Sequence, residues 1–139
     1  MQNCLKLPEL LHPGKHSVFI LNMSLTEFPV RIVKDHAREG IVEVFYGGLW
    51  GTVGLNKWDR RDALVFCRQL GFKQVQNTYA HEPPIKQRVI WFGDFECQGS
   101  EATLGQCKHS LIARSVYTDD QPSDVFVRCG NDTEDKTGD

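Results

Sequence analysis

The chain has 139 residues, 40% of them apolar, with 16 basic and 18 acidic side chains and a net charge of -2. That is ordinary material for one domain, and the charge balance argues against a nucleic-acid binder. No apolar run approaches the roughly 18 residues of a bilayer span, so direct membrane insertion is not expected of this segment.

In chain order, residues 1–29 show no sustained period and read as a leader, a linker or the end of a preceding module. Val18-Phe19-Ile20-Leu21 is too short for a signal-peptide core. An exported parent would therefore be longer than this piece and carry other domains. Cys4, His12 and His16 invite a zinc reading, but a fourth ligand is missing and Pro13-Gly14 lies between the histidines.

Pattern begins at Val30. Val30–Val33 and Gly40–Tyr46 are rich in β-branched and aromatic residues and predict two strands. Gly47-Gly48 signals a turn, and Leu49–Val53 predicts a third strand returning as a hairpin. A strand, not a lysine and a helix start, follows these glycines, so they make no phosphate cradle.

Trp58 to Gly71 predicts one short helix. Asp59 is placed to cap it, Asp62 faces the orphan amide groups from three residues on, and Gly71 supplies a left-handed stop. Ala63, Phe66, Cys67 and Leu70 form one apolar stripe, with Arg60, Arg61 and Arg68 largely off it. A loop containing Pro83 and Pro84 follows, then a strand at Val89–Phe92. Ser100–Leu104 predicts one helical turn between Cys97 and Cys107, and Val125–Cys129 predicts a fifth strand. Residues 131–139 read as an acidic linker or tail.

Charge is unevenly spread. Between Gly54 and Ile90 seven basic residues (Lys57, Arg60, Arg61, Arg68, Lys73, Lys86, Arg88) face three acids, whereas ten acids face four bases from Trp91 onward. Solvated faces account for most such runs. Catalysis finds little support: the histidines are scattered, no serine lies in a nucleophile elbow, and no cofactor motif is present. Five cysteines allow at most two intrachain bridges, and the sequence alone does not choose the pairing.

Several blocks together carry a resemblance: Glu39–Val44, Leu49–Val53, Trp58-Asp59, Asp62-Ala63, Phe66–Phe72, Ile90-Trp91, Cys97–Glu101 and Leu104–Cys107. In order and spacing, from Val30 to Gly130, they resemble the scavenger receptor cysteine-rich domain. The resemblance implies an α+β fold, a curved antiparallel β-sheet cradling one α-helix, stabilised by disulfides pairing Cys67 with Cys129 and Cys97 with Cys107. It also implies an extracellular, secreted or ectodomain setting and a binding role without catalysis.

Two departures stand out. The family's cysteine after the Gly-Thr-Val strand is Gly54 here, and none lies between Cys107 and Cys129, so one usual bridge is lost as a complete pair. The segment from Lys108 to Asp124 is then expected to be less restrained. Many members also hold calcium or magnesium, at positions that here read Leu55, Asn56, Gly93 and Ser123, so no metal is expected there. Asp94, Asp119, Asp120 and Asp124 remain nearby in sequence.

The functional expectation is an adhesion or ligand-binding module whose seven basic residues, named above, present a cationic surface to an acidic protein or polyanionic ligand. The alternative is a structural spacer within a modular extracellular protease or oxidase. Asn22-Met23-Ser24 and Asn131-Asp132-Thr133 are candidate glycosylation sites framing the matched region.

Overall fold

The computed structural model describes residues 27–36, 38–81, 89–115 and 123–131. The readings at Cys4, His12, His16, Asn22, the Pro83-Pro84 loop, Lys86, Arg88, Asp119, Asp120 and the tail from residue 132 lie outside the described residues.

Strand β1 (Val30–His36) pairs antiparallel with β2 (Glu39–Tyr46), Val30 opposite Val44 and Ile32 opposite Val42. Gly47 and Gly48, with φ of 61° and 83°, turn the chain into β3 (Leu49–Val53). Two left-handed residues in succession are what a tight hairpin with the normal strand twist requires.

Helix α1 (Arg60–Gln69) is closed at both ends by local groups. The Asp59 carboxylate accepts from the N–H of Arg61 and Asp62, while Asp62 accepts from the N–H of Asp59, a reciprocal capping box. At the far end the N–H of Phe72 donates to the Cys67 carbonyl and that of Gly71 to Arg68, with Gly71 at φ 101°. These two bonds form a Schellman motif. Val65 is buried alongside Ala63, Phe66 and Cys67, so the apolar stripe is wider than the sequence period marked.

After α1 come β4 (Gln74–His81), β5 (Val89–Glu96), a short 3-10 turn (Leu104–Gln106), β6 (Lys108–Ser115) and β7 (Asp124–Gly130). Among the described residues the sheet therefore has seven strands where five were predicted, in the order β4-β7-β2-β3-β5-β6, with β1 also on β2. The missed strands are sheet edges: β4 buries only Val75, and β6 exposes Leu111 and Arg114. Their polar content hid them from an apolar pattern. Lys108–Ser115 is thus held in a ladder against β5, contrary to the looser segment expected there, while residues 116–122 lie outside the described set.

Pairing is antiparallel except that β3 runs parallel to β5, with Thr52 opposite Ile90 and Val53 opposite Phe92. Along β2, β7 bonds Glu39 to Ile41 and β3 bonds Val44 to Tyr46, whereas β1 spans the shared residues Ile41 and Val44. Both β7 and β3 must then lie on one edge of β2, so the sheet forks and curves. α1 packs against this curve over a core of Val42, Val44, Val53, Phe66, Phe92, Phe95 and Val127. Phe28 enters from before β1 and stacks on Phe92 at 4.6 Å.

Cys67 on α1 is bonded to Cys129 on β7 with their Cα atoms 5.6 Å apart, and Cys97 to Cys107 at 4.7 Å. Within the second loop, the Glu101 carboxylate accepts from the N–H of Gln98 and Gly99. The helical turn expected over Ser100–Leu104 forms at Leu104–Gln106, overlapping the expectation at Leu104. Gln69 fastens the loop to α1 by accepting from the Leu104 N–H and donating to the Phe28 carbonyl.

Candidate functional site

The segment between β3 and α1 places the functional side chains. Lys57 has φ 68°, a left-handed residue that turns the chain from Gly54–Asn56 toward Trp58 and the helix cap. Trp58 anchors this turn, its indole N–H donating to the Thr78 hydroxyl and its ring edge-on to Phe95 at 5.8 Å. The end of β5 lies opposite.

A cleft of about 460 Å³ opens there, with Lys57 and Arg61 on its rim among Asp59, Glu96 and Gln98, and Phe95 and Cys97 beneath. Lys57 Nζ lies 2.8 Å from Glu96 Oε2, and Arg61 Nη2 lies 3.4 Å from Asp59 Oδ2. The hydrogen bond from Lys57 holds the Glu96 carboxyl below its ordinary range, and the same bond raises Lys57. Both pairs are solvent-exposed, and such pairs are screened by water and salt and contribute little to stability. An incoming anion can therefore exchange with them.

The other sequence-predicted basic residues are spent elsewhere. Arg60 donates to the Val75 and Gln76 carbonyls of β4, at 2.6 and 3.5 Å. Arg68 donates to the Gly99 and Glu101 carbonyls, at 2.7 and 2.8 Å, fastening the disulfide loop to the helix. Lys73 is exposed beyond the C-terminal end of α1, its N–H bonded to the Gly130 carbonyl. Of the five that are described, Lys57 and Arg61 share the cleft; Lys86 and Arg88 lie outside the described residues. Asp59, Glu96 and Gln98 were not singled out from sequence as site residues. Glu96 is 39 positions from Lys57, and only the fold joins them.

Beneath the cleft the Asp62 carboxylate accepts from the N–H of Cys97 and of Asp59, each at 2.8 Å, and is 1% exposed. Burial pushes its pKa up to about 6; the two N–H groups pull it down, and the Asp59 charge adds to the rise. The native state therefore holds this proton where the unfolded chain has released it. Stability from this group is fully present below about pH 4 and falls as pH rises to about 6, by about 3 kcal/mol in all. Asp62→Asn should remove that slope: at low pH the variant is the weaker fold, because one amide oxygen cannot accept both N–H groups. The melting temperature of the variant relative to wild type should then climb from about pH 4 to about pH 7. A constant difference across that range counts against a raised Asp62.

A second groove, of about 410 Å³, lies between the Gly54–Asn56 segment, Asp94 on β5 and Arg114 on β6. Here Asn56 Nδ2 donates to Asp94 Oδ1 at 2.6 Å. This is where the family resemblance puts a divalent cation, and the residues do not fit one. Leu55 and Gly93 offer no side-chain oxygen, Ser123 is buried, and Asp94 already takes the Asn56 amide. Asp124 is fully buried at the start of β7, opposite His81 of β4.

Comparison with known proteins agrees with this architecture. The family model described as the scavenger receptor cysteine-rich domain matches residues 33–130. The chain is 41% identical over 76 residues to the CD5 antigen-like protein of Mus musculus, covering 52% of this chain and 22% of that protein. It is 36% identical over 125 residues to the galectin-3-binding protein of Mus musculus, covering 84% of this chain and 21% of that protein. The chain thus spans about a fifth of the length of these curated relatives. Among solved structures, the SRCR domain of mouse MARCO, in its dimeric form, superposes with a TM-score of 0.58 at 28% identity, over 70% of this chain and 92% of that one. Domains of this kind are extracellular and recognise ligands without catalysing reactions. Among the described residues, no helix is long and apolar enough to cross a membrane. A seven-stranded sheet packed on a helix and two disulfides among the described residues, with a family model spanning residues 33–130, lead to one assignment: the chain belongs to the scavenger receptor cysteine-rich family.

Proposed function

We propose that this domain binds an acidic protein surface or polyanion at the cleft beside the N-terminus of α1, with Lys57 and Arg61 as the contacting cations. The observation that carries this reading is the placement of both cations on one rim, each paired among the described residues with an exposed carboxylate. A ligand carboxylate or sulfate replaces Glu96 at Lys57 and Asp59 at Arg61 without uncovering a buried charge. Arg60 and Arg68 shape the domain rather than the contact, because their guanidinium groups are bound to backbone carbonyls. Asn131, directly after β7, carries a glycan in the same reading.

The test uses heparin and poly-glutamate as probes. Lys57→Glu with Arg61→Glu should abolish retention of the folded domain on either, and raised salt should weaken wild-type binding steeply. Arg68→Gln should leave retention intact while lowering the melting temperature. Unchanged affinity in the double variant overturns the assignment of the cleft.

A further inference from the structure

We infer that the Asn56 amide occupies the place of a divalent cation in this domain, so that its fold is independent of such ions. The argument starts from Asp94. It is held at φ 56°, a left-handed conformation, which fixes the position of its carboxylate at the end of the groove. The partner provided for that carboxylate is a side-chain N–H of Asn56, at 2.6 Å.

A hard cation takes six to eight oxygen ligands, with carboxylates supplying the charge. Among the described residues the groove offers one carboxylate, and that one already accepts a hydrogen bond from a neutral donor. Arg114 lines the same groove and brings a fixed positive charge to it. Replacement of a carboxylate by its amide isostere converts an ion-bridged pair into a self-sufficient one: the neutral donor satisfies Asp94 without ions drawn from solution. Residues 54–56 and 94 both lead into the helix-cap cleft, so the bond also braces the turn that presents Lys57.

The inference does not depend on the polyanion reading, and its test uses the metal alone. Wild type, Asn56→Asp and Asn56→Ala are melted in EDTA and in millimolar calcium chloride. Wild type should melt at the same temperature in both. Asn56→Asp sets two carboxylates against each other and should melt about 5 °C lower in EDTA, regaining most of the loss in calcium. Asn56→Ala should lose stability without any calcium response. A calcium titration of the wild type by calorimetry keeps the test decisive should the aspartate variant not fold: no saturable heat supports the inference. Saturable binding to wild type at millimolar calcium or below, a calcium-dependent rise in its melting temperature, or an Asn56→Asp variant indifferent to both solutions overturns it.

Discussion

Replacing Cys67 and Cys129 together by alanine should cost about 4 kcal/mol, a large fraction of the roughly 5–15 kcal/mol by which such domains are stable. The bridge closes 62 residues, from the buried face of α1 to β7, and both cysteines are fully buried. Without it the unfolded chain regains the freedom of a long loop, and the native state loses the one covalent tie between helix and sheet among the described residues. The same replacement at Cys97 and Cys107 releases a loop of 10 and should cost about 3 kcal/mol. Part of that loop's order survives because Arg68, Gln69 and Glu101 hold it by hydrogen bonds. Urea unfolding of the two double variants should therefore rank the long bridge above the short one. A reversed order would falsify the loop-length account and point to strain or residual structure instead. Alanine is the appropriate replacement, since serine would bury two hydroxyls among Val65, Phe66 and Val127.

How much of this was legible depended on whether the cause was local. Both ends of α1 were, because Asp59, Asp62 and Gly71 act on backbone groups a few residues away. The hairpin at Gly47-Gly48 was legible for the same reason. Strands β4 and β6 were not: their stability comes from ladders with β7 and β5, and their outward residues are polar or exposed. The parallel pairing of β3 with β5 joins segments nearly forty residues apart and leaves no mark in either one. The candidate site shows the sharper limit. Counting basic residues gave a patch of seven, yet a count carries no direction, and the side chains of Arg60 and Arg68 turn to carbonyls of β4 and of the disulfide loop. What distinguishes Lys57 and Arg61 is exposure beside exchangeable carboxylates. The Asn56 to Asp94 bond was equally hidden, although Asn56 had been noticed as a departure from a cation site and Asp94 as a carboxylate remaining near it.

Gly51→Ala is expected to destabilise the domain by about 3 kcal/mol, at the upper end for one added methyl group. A Cβ at this position would stand 2.5 Å from Trp91 Cδ1, 2.6 Å from the Val89 carbonyl oxygen and 2.7 Å from Val89 Cγ1. Trp91 does not yield freely, because its indole N–H donates to the Leu49 carbonyl and its ring packs edge-on to Tyr46 at 5.2 Å. The Val89 oxygen is backbone, so β5 itself must retreat from β3. Gly48→Ala provides the contrast: open space surrounds its Cβ, and only the left-handed φ of 83° opposes it, at about 1–2 kcal/mol. Equal losses at the two positions in urea unfolding would show that β3 and β5 are not so closely apposed. The consequence reaches the candidate site through the chain. Asn56 and Lys57 leave the end of β3, and their partners Asp94 and Glu96 finish β5. Displacing β5 at Gly51 pulls both pairs apart, so Gly51→Ala should weaken retention on poly-glutamate even under conditions where the variant remains folded, whereas Gly48→Ala should not.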